Sequence, residues 1–195
     1  FGDGSTFVLT SSSFKDGEAL PERYTASGDG VSPPVAWSGL PEGTQSLILI
    51  MDETLHGTEL EAGGDEAGEP DDIRTFWIVY DIPADLKGIP EDLAKGWGTD
   101  LASPSGESFT ARQGLNSRGV KALLSDPDTD PAVEGGAGYM APDPASGSGI
   151  HLYYLRLYAV MGAIGSSFEN PSEATRDAIL DEAEAAGGLA PLSLP

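Results

Sequence analysis

Three uninterrupted apolar runs restrict what this chain can fold into. They are QSLILIMDE from Gln45, TFWIVYDIP from Thr75 and GIHLYYLRLYAVM from Gly149. Because turn residues bound these runs and β-branched and aromatic residues fill them, they predict buried β-strands rather than helices. The segment STFVLTSSSF predicts an earlier strand, with Phe7 and Leu9 on one face. We therefore expect an all-β protein.

The composition agrees with one loop-rich β-domain. The chain has 195 residues, enough to bury a sizeable core, and we expect a single domain over residues 1–195. The 26 glycines and 15 prolines are spread between the apolar runs, which is typical of turns rather than of disorder. The absence of cysteine excludes disulfide bonds and thiolate chemistry.

One helix is predicted near the end of the chain, in SSFENPSEATRDAILDEAEAAGG. Asn170 is the expected N-cap, Pro171 the first helical residue and Glu173 the capping-box partner. Gly187 and Gly188 would end the helix. It is expected to pack against a sheet through a narrow apolar stripe, which consists of Ala174, Ala178, Ile179 and Ala183.

The chain is strongly acidic. Asp and Glu total 32 against 10 Lys and Arg, for a net charge of −22. Nucleic acids and anionic membranes require cations on the protein, so neither is expected as a partner. A solvated acidic surface of the kind found in halophilic proteins is the simplest interpretation. No apolar run approaches the roughly 18 residues of a membrane-spanning helix. The start at Phe1 favours an exported protein, periplasmic or extracellular, over a cytoplasmic one.

Several catalytic motifs are absent from the sequence. Ser148 lies in GSGI without the full G-x-S-x-G pattern, which argues against a serine hydrolase. Two histidines without cysteine or H-E-x-x-H argue against zinc. No glycine-rich phosphate motif follows a strand, so nucleotide chemistry is not indicated.

Two acidic loops interrupt the strands, over residues 55–74 and 121–138, and loops of this length are often functional. The second contains DPDTDPAVE, whose spacing resembles the start of a calcium loop. Pro131 stands where an EF-hand needs glycine, and Ala137 occupies its twelfth position. A solvated acidic turn is therefore the simpler interpretation. The alternative is a calcium site made of Asp126, Asp128, Asp130 and Glu134.

A polar pocket is predicted around His151. Asp52 and Glu53 close the buried strand 47–51, which places a carboxylate at a strand end. His151 and Tyr153 are two residues apart on one strand, so their side chains point to the same face. The loop that contains Pro144 and Gly147 would form an adjacent wall. The alternative is a structural histidine beside a core tyrosine.

Five blocks in order resemble the phosphatidylethanolamine-binding protein family, in particular its bacterial and archaeal branch. The blocks are FVLTSSSFKDGEALPERYT, GDGVSPPVAWSGLPEGTQSLILIMDE, FWIVYDIP, GLNSRG and YMAPDPASGSGIHLYYLRLYAV. The resemblance implies a Greek-key fold of two antiparallel sheets with peripheral helices, and a small pocket for phosphate-like head groups. Members of that family are mostly binding proteins and inhibitors of kinases or proteases rather than enzymes. The implied pocket residues are Asp52, Glu53, Phe76, Tyr139, Pro142, Pro144, Gly147, His151 and Tyr153.

The pocket blocks depart from the family pattern. Phe76 stands where relatives have a histidine before the tryptophan, and DETLH replaces D-P-D-A-P, so that the leading acidic position is Asp52 or Glu53. His56 is a candidate replacement for the lost imidazole. Leu152 replaces an arginine. One imidazole fewer and added carboxylates make the pocket less favourable for a phosphate dianion.

We expect a binding protein without enzymatic activity or cofactor, whose modified pocket takes a small phosphate-like or head-group ligand or a protein partner. One alternative is a protease or kinase inhibitor that acts through its loops, over residues 55–74 or 115–138. The other is a hydrolase in which Asp52 or Glu53 and His151 act as acid and base. The turn VSPPVAW also predicts a cis peptide bond before Pro33 or Pro34.

The net charge predicts that salt stabilises the fold. Self-repulsion among the 32 acidic side chains destabilises the compact state at low ionic strength, and added ions screen it. The melting temperature is expected to rise as NaCl increases from millimolar to molar concentrations, as followed by circular dichroism. A flat or falling curve would contradict this expectation and would indicate that bound cations already neutralise the acidic clusters.

Overall fold

The computed structural model describes residues 7–54, 73–102, 108–131, 135–164, 167–187 and 189–193. Two α-helices lie in this part of the chain, α1 (Ser117–Ser125) and α2 (Arg176–Ala185), with 3-10 turns at Glu22–Tyr24 and Pro171–Glu173. The strands in the same residues are β1 (Val8–Thr10), β2 (Val35–Ser38), β3 (Ser46–Thr54), β4 (Ile73–Pro83), β5 (Gly88–Ile89), β6 (Gly98–Ala102), β7 (Ser108–Gln113), β8 (Tyr153–Val160) and β9 (Leu189–Ser193).

The strands form two antiparallel sheets. The smaller has the order β1-β2-β5, and the larger has the order β6-β7-β4-β3-β8-β9. The connection from β7 to β8 passes from the β4 side of the larger sheet to the β3 side, as in a Greek key. The predicted fold of two antiparallel sheets with peripheral helices is confirmed.

Strand β3 lies at the centre of the larger sheet and is buried on both faces. Residues 46–53 are all buried. Leu49 and Met51 point into a core shared with the smaller sheet, whereas Ile48 and Ile50 point into a second core that helix α2 covers. Burial of both faces explains why the run has no polar alternation.

The predicted helix after Asn170 begins later than expected. Asn170 caps only a 3-10 turn, and Thr175 caps α2 instead, since its side chain accepts a hydrogen bond from the backbone N–H of Ala178 at 3.3 Å. Ala174 leaves the helical region, with φ −85° and ψ 59°, and its carbonyl accepts from the N–H of Leu115 at 2.8 Å. That tertiary hydrogen bond separates the turn from the helix, so the expectation of one continuous helix was wrong.

Helix α1 lies where the sequence predicted part of a loop. Its N-cap is Asn116, whose Oδ1 accepts from the N–H of Gly119 at 3.1 Å. The amide nitrogen of Asn116 donates to the carbonyls of Gly135 and Gly138, both at 3.0 Å. The GLNSRG block therefore has a structural role, because one buried amide holds the helix start against the 135–138 segment.

Of the other predicted loop, over residues 55–74, residues 55–72 lie outside the described residues, and Ile73 already belongs to β4.

The predicted cis peptide bond is wrong. No cis bond occurs in the described part of the chain, so the bonds before Pro33 and Pro34 are both trans. Ser32 holds this turn through tertiary contacts instead. Its hydroxyl oxygen accepts from the N–H of Leu93 at 2.9 Å, and its carbonyl accepts from the N–H of Asp92 at 3.0 Å.

Among the described residues, neither helix is long and apolar enough to cross a membrane.

Gly119 is expected to be essential for the packing of α1. A Cβ atom at this position would lie 2.5 Å from the carbonyl oxygen of Gly136. Gly119→Ala is therefore expected to lower the free energy of unfolding by about 2 kcal/mol, although alanine in an open helix would raise it by about 1 kcal/mol. Urea denaturation measures both the sign and the size. The control is Gly98→Ala, whose Cβ would meet its nearest neighbour at an ordinary 3.7 Å, and an increase in stability for Gly119→Ala would contradict the packing.

Candidate functional site

The two consecutive carboxylates of β3 point to opposite faces of the sheet. Asp52 faces α2 and is fully buried. Its Oδ1 accepts a hydrogen bond from Arg156 on β8, and its Oδ2 accepts from Nε of Arg176 at 3.4 Å. Because Arg176 is the first residue of α2, Asp52 connects the helix to the sheet. It does not contact His151, and its role in the described structure is architectural.

Glu53 is the carboxylate that contacts His151. Its Oε1 lies 2.5 Å from Nδ1 of the imidazole, and the two side chains are 2% and 10% exposed. Its Oε2 lies 3.8 Å from a guanidinium nitrogen of Arg74 and makes no hydrogen bond in the described structure. Of the two carboxylates between which the sequence left the pocket position open, Glu53 is the one that contacts His151, because β3 directs only that side chain towards the segment before β8.

His151 lies two residues before β8 begins, rather than within the strand. Its Nε2 is 2.7 Å from the hydroxyl oxygen of Ser148, which is also 2.6 Å from the carbonyl oxygen of Ala145. The imidazole stacks on the ring of Tyr153, with centroids 6.4 Å apart. Both ring nitrogens thus have partners, which hold the imidazole in one orientation. The sequence analysis considered Ser148 only as a hydrolase nucleophile and did not place it beside His151, because no periodic pattern in this loop predicts the contact.

A cavity of about 620 Å³ opens beside His151. It lies between the 14–20 segment and residues 142–155, with Met51 of β3 at its base. Charged side chains among its lining residues are Lys15, Asp16 and Glu18. Of the predicted pocket residues, Pro142, Pro144, His151 and Tyr153 line it. The apolar wall is completed by Phe14, Ala19, Leu20, Ile150, Leu152 and Leu155.

Phe76 and Tyr139 lie in the core rather than on the cavity wall. Phe76 is 3% exposed and packs edge-on against Tyr153, with ring centroids 5.3 Å apart. Tyr139 donates its hydroxyl to the carbonyl of Tyr24 at 2.6 Å, and burial raises the pKa of that hydroxyl. In the described structure these two aromatic rings support Tyr153 and the core instead of presenting polar groups to a ligand.

The 141–150 loop is shaped by backbone rather than by packing. Gly147 and Gly149 have φ of +83° and +97°, a region that other residues rarely adopt. The carbonyl of Pro142 accepts from the N–H of Ala26 at 2.9 Å, which connects the loop to the 22–30 segment. Gly147 itself does not line the cavity among the described residues, and its contribution is the turn that carries Ser148.

The acidic turn after α1 is held by its own hydrogen bonds. Oδ1 of Asp126 accepts from the N–H of Asp128 at 3.0 Å, and the carbonyl of Asp126 accepts from the N–H of Thr129 at 3.0 Å. The described residues contain no group of three or more His, Asp or Glu side chains placed to hold a metal ion. Glu134 and His56 lie outside those residues. The calcium site, with Asp130, stays a prediction.

The sequence matches a known protein family and several of its members. The family model described as phosphatidylethanolamine-binding protein matches residues 10–194. A UPF0098 protein of Methanothermobacter thermautotrophicus is 30% identical over 183 residues, which cover 92% of this chain and 95% of the relative. A UPF0098 protein of Aquifex aeolicus is 31% identical over 157 residues, with 80% and 70% of the two chains covered.

Two solved structures share the fold. CT736 of Chlamydia trachomatis, described as a phosphatidylethanolamine-binding protein homologue, superimposes with a TM-score of 0.65 at 24% identity, over 98% of this chain and 95% of that one. YbcL of E. coli, described as a member of the mammalian family, gives a TM-score of 0.61 at 21% identity, over 96% and 95%. At these identities the structures establish the fold alone.

The buried ion pairs of Asp52 are expected to contribute more to stability than the exposed ion pair of Asp177. Asp52→Asn removes the charge that two arginine side chains share, and these are 24% and 21% exposed. We expect a loss of about 2 kcal/mol in the free energy of unfolding, below the 3–5 kcal/mol typical of fully buried pairs. The control is Asp177→Asn, whose carboxylate also pairs with Arg176 but is 86% exposed. It should cost under about 0.5 kcal/mol, and equal losses in urea denaturation would contradict the architectural role of Asp52.

Proposed function

This chain belongs to the phosphatidylethanolamine-binding protein family, and on that premise we propose that it binds a small amphipathic ligand in the cavity beside His151. The primary role is binding rather than turnover. The observation that carries the proposal is the combination, in one cavity of about 620 Å³, of an extensive apolar wall with a single oriented imidazole. Volumes of about 300–1,000 Å³ with few polar groups are typical of small-molecule sites.

The apolar wall supplies most of the affinity in this proposal. Residues from three separate segments contribute to it, including Leu20, Met51 and Leu155. Transfer of a ligand's alkyl chain from water to such a wall is worth about 0.8 kcal/mol per methylene group. A ligand without an apolar part leaves this surface exposed and gains little from it.

The imidazole of His151 orients the polar end of the ligand. Glu53 fixes the ring through Nδ1, so that Nε2 is the atom available for exchange between Ser148 and an incoming group. A phosphate-like head group replaces Ser148 as the hydrogen-bond partner of Nε2. Asp16 and Glu18 in the wall repel a dianion. Inorganic phosphate alone is therefore expected to bind at millimolar concentration or weaker, which corresponds to about 4 kcal/mol.

A protein partner at the cavity mouth is the second candidate function. Ile150 and Leu152 flank His151 and are 86% and 54% exposed, although both are large apolar side chains. Exposed apolar groups around a cavity are typical of recognition surfaces. This observation favours inhibition or regulation of a partner through the 149–152 segment rather than through the acidic loops.

Titration calorimetry with octyl phosphate tests the binding proposal. Octyl phosphate is expected to bind at least about tenfold more tightly than inorganic phosphate because its alkyl chain fills the apolar wall. His151→Ala is expected to weaken octyl phosphate binding about tenfold, the value of one hydrogen bond to a charged group. The matched control is Leu124→Ala, at a side chain that is 82% exposed on α1. Equal affinity for the two ligands, or an unchanged affinity in His151→Ala, would contradict the site.

A further inference from the structure

One hydrogen-bonded chain connects His151, which lines the cavity, to Ser148 and Glu53, which lie beside it outside the lining. The hydroxyl oxygen of Ser148 lies 2.7 Å from Nε2 of His151, and Nδ1 of the same ring lies 2.5 Å from Oε1 of Glu53. This is the arrangement that activates the serine hydroxyl in serine hydrolases: the hydroxyl contacts Nε2 of a histidine, and a carboxylate contacts Nδ1 of the same ring. Such groups are recognised by geometry rather than by their order along the chain.

We propose that Ser148 is a nucleophile that accepts the acyl group of a carboxylic ester bound in the cavity. The inference rests on the proposed function, because the same apolar wall would hold the ester. It differs from hydrolysis by a carboxylate–histidine pair, since the attacking group here is a side-chain hydroxyl.

Glu53 acts as a positioning residue in this proposal. Its side chain is 2% exposed, and its Oε2 makes no hydrogen bond in the described structure, so its charge has little competition from water. The carboxylate accepts a hydrogen bond from Nδ1–H and thereby directs the lone pair of Nε2 towards Ser148. It also stabilises the imidazolium that forms when the ring takes the serine proton.

The backbone around Ser148 presents its hydroxyl at a sharp turn. Gly147 and Gly149 on either side both have positive φ, and the N–H of Ser148 donates to the carbonyl of Ala145 at 3.1 Å. Nucleophilic serines in other folds also occupy strained turns that expose the hydroxyl. Two flanking glycines permit that conformation here without the strand-to-helix context, which is why the G-x-S-x-G pattern does not detect it.

Two backbone donors lie next to the proposed nucleophile. The N–H groups of Gly149 and Ile150 make no hydrogen bond within the described part of the chain, and both residues line the cavity. The residue that follows the nucleophile commonly supplies a donor to the oxyanion. We assign that role to the N–H of Gly149, with Ile150 as the second donor.

The reaction needs only the ester and water. The hydroxyl hydrogen of Ser148 turns from the carbonyl of Ala145 to Nε2 by rotation about the Cβ–Oγ bond. As Oγ bonds to the ester carbon, Nε2 takes the proton and then gives it to the leaving alkoxide when the ester C–O bond breaks. Water repeats the sequence on the acylated serine, which releases a carboxylic acid and restores the hydroxyl. The substrate class is an ester with an apolar acyl chain.

Two probes test the nucleophile directly. A fluorophosphonate is expected to add covalently to Ser148, as located by peptide mass spectrometry, and p-nitrophenyl butyrate is expected to be hydrolysed above the buffer rate. Ser148→Ala should abolish both signals. The matched control is Ser146→Ala, at an exposed serine two residues away in the same loop, and it should retain them. Glu53→Gln should lower kcat at least about 100-fold with little change in KM, as loss of the orienting carboxylate does in serine enzymes.

The outcomes separate this inference from the binding proposal. If the wild-type protein binds octyl phosphate but neither reacts with the fluorophosphonate nor hydrolyses the ester, the nucleophile is overturned and binding stands. If Ser148 is labelled without octyl phosphate binding, the nucleophile stands and the proposed ligand class is overturned. Labelling that persists in Ser148→Ala, or a fall in kcat that Ser146→Ala reproduces, also overturns the assignment.

Discussion

The structure depends on how two adjacent buried carboxylates are partnered. Asp52 and Glu53 lie on the central strand β3, where neither face meets solvent, and they are 0% and 1% exposed. An ionised carboxylate without partners in such surroundings costs several kcal/mol. Strand alternation sends the two groups to opposite faces. Each face must therefore supply its own cation or donor, and this requirement positions much of what surrounds the sheet.

On one face of the sheet, the need to partner the carboxylate of Asp52 positions the helix layer. Arg156 and the first residue of α2, Arg176, converge on Asp52, so the start of the helix is placed by an ion pair and its body by the apolar contacts of Ile179 and Ala183. On the other face the requirement organises the site. Glu53 fixes the imidazole of His151, and that ring in turn fixes Ser148. The same physical constraint thus produces an architectural contact on one side and a chemically organised group on the other.

The departure from the family pattern at Phe76 has a structural explanation. Phe76, where relatives have an imidazole, packs edge-on against Tyr153 and strengthens the wall behind the cavity. Asp16 and Glu18 add negative charge to the opposite wall. The ring of Phe76 and these two carboxylates support the proposal of an amphipathic ligand, whose apolar part would contribute most of the binding energy.

The sequence by itself determined the sheets, since the apolar runs that contain Leu49, Trp77 and Leu157 can only be buried on both faces of strands. It also determined the family, because an ordered set of short motifs does not depend on contacts. Only the tertiary structure decided which of Asp52 and Glu53 meets His151, since a shift of one residue reverses the face of every side chain on a strand. The same holds for the helix start at Thr175, where a hydrogen bond from Leu115 ends the preceding turn. It holds for Ser148 as well, whose contact with His151 arises from two positive-φ glycines in a loop that carries no periodic signal. Patterns along a chain report burial and local turns, whereas partnering between distant polar groups exists only once the chain is folded.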